Sequence, residues 1–215
     1  MKLKGFTLAE VLVTLTLIGI VATLTLPALM TNVQRQQAGP ALLRAISTLD
    51  TANALFFSEQ DTLTFGEACP SYINCFNNSI KQRIGADNGG TNIQYKQFTN
   101  TTFPDDYSSD LNMTNGYTTK NGFIYYIHGN GDSVSHLSID INGRRGPNEF
   151  GKDLFRANID MEDGKVYAEG SKVGPGNNSS TGAWEDGGCD ARGVGDPRAC
   201  AGSIIDNGGR VIYPW

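Results

Sequence analysis

Charge is scarce in this 215-residue sequence: Asp, Glu, Lys and Arg make up 18% of it, and the net charge is −5. No basic cluster exists; Arg144-Arg145 is only a pair. Phosphate binding needs grouped Lys and Arg, so the sequence argues against nucleic acid as a main partner, except indirectly through filaments that take up DNA. Histidine is nearly absent. His128 and His136 fall at the ends of neighbouring candidate strands and read as structural. There is no G-x-S-x-G, no P-loop and no H-E-x-x-H. The sequence shows no catalytic constellation and is read as a non-enzyme, with a membrane-tethered extracytoplasmic enzyme as the remote alternative. The cysteines lack the C-x-x-C spacing of zinc and redox sites.

What the sequence does hold is glycine, 26 residues of it, in a polar, turn-rich chain that suggests β-structure with long loops. The length fits one domain, or one domain plus a membrane segment. Its four cysteines form two close pairs, Cys69/Cys75 and Cys189/Cys200. An even count beside an N-terminal apolar segment fits an oxidising compartment and two disulfides. Three connectivities are possible, and the two local pairings are favoured.

One long apolar run stands out. Residues 11–31 carry no charge. At about 1.5 Å per residue, such a helix crosses a hydrocarbon core of roughly 30 Å. Lys2 and Lys4 precede it, and the next basic residue is Arg35. The positive end should stay cytoplasmic, so everything beyond about residue 31 should be exported. A cleaved signal peptide would need a small-x-small cut site after the core, and Pro27-Ala28-Leu29-Met30-Thr31-Asn32 is a poor one. No Cys follows the core, which excludes a lipoprotein cut. A plain anchor explains the length but not Glu10, because a carboxylate at mid-helix costs roughly 2.5 kcal/mol or more.

The stretch Gly5-Phe6-Thr7-Leu8-Ala9-Glu10 accounts for more of these residues. It resembles the cleavage site of the type IV pilin and type II secretion pseudopilin superfamily, as do the short basic leader before it and Pro27 beyond it. The resemblance covers about 30 residues. It implies a leader of residues 1–5, cut after Gly5 by a membrane-embedded prepilin peptidase, and a new, N-methylated terminus at Phe6. It also implies a bacterial inner-membrane protein with a single pass and an extracytoplasmic C-terminal domain, taken up by an inner-membrane assembly platform into a cell-surface pilus or a periplasmic pseudopilus. Glu10 becomes the fifth residue of the mature chain, where the family has its glutamate. A buried carboxylate is tolerable only when paired, and the partner implied is the Phe6 amine of a neighbouring subunit. Gly19 and Pro27 fall where the family often has helix-loosening residues.

Residues 6–58 are expected to form one long helix, with 6–30 as the transmembrane and polymerisation half. In the second half, apolar residues recur at Leu42, Ala45, Ile46, Leu49, Ala52 and Phe56, a single helical stripe for a sheet. Gly39-Pro40 should kink or break this helix. Residues 59–215 read as a β-rich globular domain. Candidate strands are 93–98, 122–128, 134–141, 154–159 and 165–168, with a last pair within 204–212 around Asn207-Gly208-Gly209. Turns at Gly129-Asn130-Gly131-Asp132 and Glu162-Asp163-Gly164 make local hairpins and hence an antiparallel sheet. Residues 170–202 read as a long irregular loop closed by Cys189 and Cys200. The expected class is α+β: a long N-terminal helix packed on an antiparallel sheet with disulfide-closed loops.

The densest set of oxygen side chains lies in Asp140-Ile-Asn-Gly-Arg-Arg-Gly-Pro-Asn-Glu-Phe-Gly-Lys-Asp153. Asp140, Asn142, Asn148 and Asp153 are candidate ligands for Ca²⁺, which takes six to eight oxygens. The spacing is not an EF-hand, since Gly151 stands at the twelfth position. The alternative is a turn-rich connection in which Asp and Asn cap their own backbone.

Overall fold

The computed structural model describes residues 5–88, 93–95, 112–113, 116–130, 134–172, 189–190, 193–194, 197–213 and 215. Helix α1 (Leu8–Ser58) runs unbroken for 51 residues, through both Pro27 and Pro40. The break expected at Gly39-Pro40 does not occur, and tertiary packing is the reason. Ala38 and Gly39 are buried. A Cβ on Gly39 would lie 1.8 Å from the carbonyl oxygen of Gly209, so glycine is what lets a second backbone lie against the helix here. Arg35 holds the same segment by donating to the carbonyls of Val211 and Tyr213, 3.1 Å each.

The second half of α1 buries Leu42, Ala45, Leu49, Ala52 and Phe56, at spacings of three and four residues. Each buried leucine contributes roughly 1.5–3 kcal/mol. Polar contacts fix the register: Tyr125 donates to the Ala45 carbonyl (2.9 Å), and buried Asn53 bridges the Gly164 carbonyl (2.8 Å) and the Tyr72 hydroxyl (2.9 Å).

A compact corner follows. Helix α2 (Phe65–Ala68) is opened by a Thr64–Glu67 capping box. Helix α3 (Tyr72–Cys75) leads through a π-turn, Phe76–Ile80, into α4 (Lys81–Arg83). The Cys69–Cys75 disulfide ties this corner together, and Phe65 packs edge-on against Phe56 and Phe57.

The sheet strands are β1 (Ala86–Asn88), β4 (Gly116–Thr119), β5 (Ile124–Asn130), β6 (Val134–Asp140), β7 (Leu154–Asp160) and β8 (Val166–Ala168), all antiparallel and in that spatial order. Alternation sends Tyr125, Leu137, Ile139, Phe155, Ala157 and Ile159 to the helix. The opposite face carries Ile124, Tyr126 and Leu154, packed with Ile93, Tyr95 and Phe150. Strand β2 (Ile93–Gln94) pairs with β3 (Asn112–Met113) rather than with the main sheet; the rest of the strand expected at 93–98 lies outside the described residues. So does part of the expected turn at 129–132, while β5 itself continues through Asn130.

The strand pair expected within 204–212 does not form: residues 204–206 end a helix, and 207–212 run on as a turn and irregular chain. Helix α5 (Cys200–Asp206) buries Cys200, Ala201 and Ile204 on one side. Gly208 and Gly209 end it at φ of 65° and 81°, with their amides on the carbonyls of Ile205 and Ile204. Three apolar residues at helical offsets outweighed the turn signal of the two glycines. Most of the loop expected at 170–202 lies outside the described residues. Within it, β9 (Cys189–Asp190) pairs with β10 (Gly193–Val194), and Cys189 is bonded to Cys200.

Candidate functional site

The Asp140–Asp153 connection begins and ends at the same end of two neighbouring interior strands, because Asp140 on β6 is in register with Leu154 on β7. Asp140 accepts from the amides of Asn142 (2.9 Å) and Gly143 (2.7 Å) and from the Tyr95 hydroxyl. Asp153 accepts from the amides of Asn148 and Glu149, 2.6 Å each, and from the Asn142 side-chain amide at 3.2 Å. That amide also donates to the Gly146 carbonyl at 3.3 Å. The connection thus brings the backbone or side chain of all four residues singled out in the sequence onto the two aspartates, with Asn142 to Asp153 as the one direct side-chain bond within the set.

The site is rich in oxygen and poor in cations. Asp140 and Asp153 are 0% and 2% exposed. Burial pushes the Asp140 carboxyl up to about 7, and the nearby Asp153 charge adds to the rise. Burial raises Asp153 as well, against the amides that hold it. The neighbouring cation, Lys152, is paired with Glu149 at 3.0 Å. The side-chain oxygens of Asn142 and Asn148 are buried with no hydrogen-bond partner. Two buried carboxylates, two orphaned amide oxygens and the Gly146 carbonyl are hard donors of the kind Ca²⁺ takes. No three His, Cys, Asp or Glu side chains converge among the described residues, so such a site would depend on its amide and backbone oxygens.

The other site is the start of α1. Thr7 is its N-cap. The Thr7 amide and hydroxyl both donate to Glu10 Oε2 at 2.8 Å, and the Glu10 amide donates back to Thr7 Oγ1 at 3.3 Å. Within one chain the carboxylate is thus held by the residue two positions beyond Gly5. Phe6 is 89% exposed. Farther along, the hydroxyls of Thr16, Thr23, Thr25 and Thr31 all bond to carbonyls one turn back. This hides their polarity inside the helix, as a hydrocarbon surround requires. α1 is long and apolar enough to cross a membrane.

Residues 1–26 match the family model for the prokaryotic N-terminal methylation motif. The chain carries the prepilin-type cleavage and methylation segment of type IV pilins and pseudopilins. Neither a curated protein nor a solved structure matches it. The prepilin-type segment implies processing by prepilin peptidase and assembly with other pilin subunits. It supports a structural, type IV pilin-like or pseudopilin subunit, and with the apolar helix it is consistent with membrane anchoring.

Among the described residues, His128 bonds to Ser138 (2.7 Å) and His136 to Asn158 (2.8 Å). Sequence reading missed Thr7, although T-x-x-E before an apolar run is a capping-box signature. It also missed the role of Tyr95, which lies just after β2 and donates to Asp140.

Proposed function

We propose that the chain is a pilin-like structural subunit. It is cut between Gly5 and Phe6, held in the membrane by the first half of α1, and built through that half into a type IV pilus or pilus-like filament. The observation that carries this reading is an apolar helix half that is exposed among the described residues, beginning at a prepilin-type cleavage segment. Cleavage gives Phe6 a cationic amine. Inside a helix bundle the Glu10 carboxylate needs a partner, and a neighbour's Phe6 amine replaces Thr7 in that role and sets the axial register. Pro27 gives the span a place to loosen, since it lacks the N–H that would close its turn.

A second reading, a pseudopilin of a type II secretion system, gains support from the Asp140–Asp153 connection, because the resemblance to major pseudopilins implies calcium in a loop of the sheet domain. We propose that Asp140, Asn142, Asn148 and Asp153 hold Ca²⁺ there. The ion would neutralise the paired carboxylates and engage the orphaned amide oxygens.

Mass spectrometry of sheared surface filaments tests the choice. The pilus reading expects this chain there, starting at methylated Phe6. Its confinement to membranes would reject that reading in favour of the pseudopilus.

A further inference from the structure

The domain has a charged axis. At the end of α1 farthest from the apolar span lie Glu59, Asp61, Glu67 and Glu162, all exposed; the Phe65 amide on the Glu162 carbonyl (2.9 Å) brings the last of these to that end. The end nearest the span is basic. Arg210 lines a cleft with Asn32, Arg35 and Gln36 of α1. Arg145 lines a second cleft with Gln34, Gln37 and Trp215, and Arg144 is its neighbour in sequence. Arg144, Arg145 and Arg210 are all exposed, and none of them forms an ion pair among the described residues. The carboxylates close by are engaged elsewhere. Asp140 and Asp153 are buried among amides, Glu149 holds Lys152, and Asp206 accepts from the Ser171 hydroxyl (2.8 Å) and the Lys172 amide.

Height along the helix decides what these cations face. The uncharged run ends at residue 31. Arg35 is four residues on, about 6 Å along the axis. The headgroup layer is roughly 5–7 Å deep on each side of the hydrocarbon. A rim fixed against residues 32–37 therefore sits in or just above that layer.

We infer that Arg144, Arg145 and Arg210, carried by two clefts flanking residues 32–37 of α1, form a docking rim for anionic phospholipid headgroups. The rim seats the domain on the outer surface of the membrane before the subunit leaves it. The inference rests on the reading that the first half of α1 spans the membrane. These arginines do not oppose the orientation set by Lys2 and Lys4, since they follow the span by more than about 100 residues, beyond the range over which such charges count. Release from the rim is then part of the work of assembly.

The test uses the full chain in nanodiscs of phosphatidylcholine alone, or with roughly one third phosphatidylglycerol, and reads amide hydrogen exchange. Exchange in residues 141–147 and 209–213 is expected to slow on the order of tenfold in the anionic discs. The R144Q/R145Q/R210Q variant, or about 0.5 M salt, should abolish the difference. Unchanged exchange in β5–β7 of the variant shows that its fold is intact. Equal exchange of the two segments in both lipids, with residues 11–31 protected in both, overturns the rim and leaves the anchor standing. Protection that follows the number of chains per disc rather than the lipid overturns it in favour of contact with the acidic end of a second copy. An unprotected span overturns rim and anchor together.

Discussion

The two halves of α1 are built from similar residues and meet opposite fates. Before residue 31, leucines and valines face outward on every side; Leu24 is 75% exposed and Leu26 53%. After residue 37, Leu42, Ala45 and Leu49 are fully buried, while Leu43 on the opposite side is 42% exposed. The second half places its apolar groups on one stripe and finds its cover in its own sheet. The first half spreads them around the whole circumference, and no single sheet could cover that. Its cover has to come from lipid or from other helices, and the one charge within it, Glu10, then matters more than any of the leucines.

The largest effect expected from breaking this contrast is at Glu10. Glu10→Ala should leave cleavage and membrane insertion intact and reduce sheared filament protein to background on immunoblots. Wild-type incorporation of the mutant would reject the ion-pair role.

Leucine truncation sharpens the contrast next. Leu49→Ala should cost the domain about 2–5 kcal/mol, read as a fall in Tm in detergent by tyrosine fluorescence. Leu17→Ala, in the other half, should leave that Tm within about 0.5 kcal/mol of wild type. Equal losses would mean that the two halves are not independent.

The corner beside the end of α1 comes third. Replacing Cys69 and Cys75 by serine should cost about 2–4 kcal/mol, seen as a lower midpoint in urea. A midpoint unmoved by this double substitution would mean that the aromatic packing of Phe65 holds the corner by itself.

The smallest effect belongs to the Asp140–Asp153 connection. With Asp140 raised to about 7, the fold favours its protonated form. That contribution is complete below the ordinary carboxylate range and is lost as pH rises through about 7. Without calcium, Tm should therefore fall between pH 5 and pH 8. Calcium binds the ionised form, so its stabilisation should grow over the same interval, to about 1.4 kcal/mol at roughly tenfold excess over Kd. A thermal melt that is the same in EDTA and millimolar Ca²⁺ at pH 8 would dismiss the calcium site.

Sequence legibility followed the same divide. α1 could be read because its pattern is long and uninterrupted, and β5 to β8 because alternation over several residues repeats. β1 and β4 escaped because Ala86-Asp-Asn and Gly116-Tyr-Thr-Thr are short and polar, and only their neighbours make them strands. α5 was mistaken for strands because Asn207-Gly208-Gly209 signals a turn without saying what it ends. The candidate ligands could be named because oxygen side chains are dense between residues 140 and 153. The burial of Asp140 could not, since Tyr95, which bonds to it, is 45 positions away.

The clasp of Arg35 on the carbonyls of Val211 and Tyr213 joins residues 176 and 178 positions apart. On the proposed membrane topology, the first half of α1 enters the membrane during synthesis long before its clasp exists. Gly39 must wait for Gly209, whereas the stripe that begins at Leu42 can be covered earlier, by Phe65, Tyr125, Leu137 and the rest of the sheet. On that topology the clasp closes only once residue 213 has crossed, and a subunit stalled before that point presents Ala38 and Gly39 uncovered.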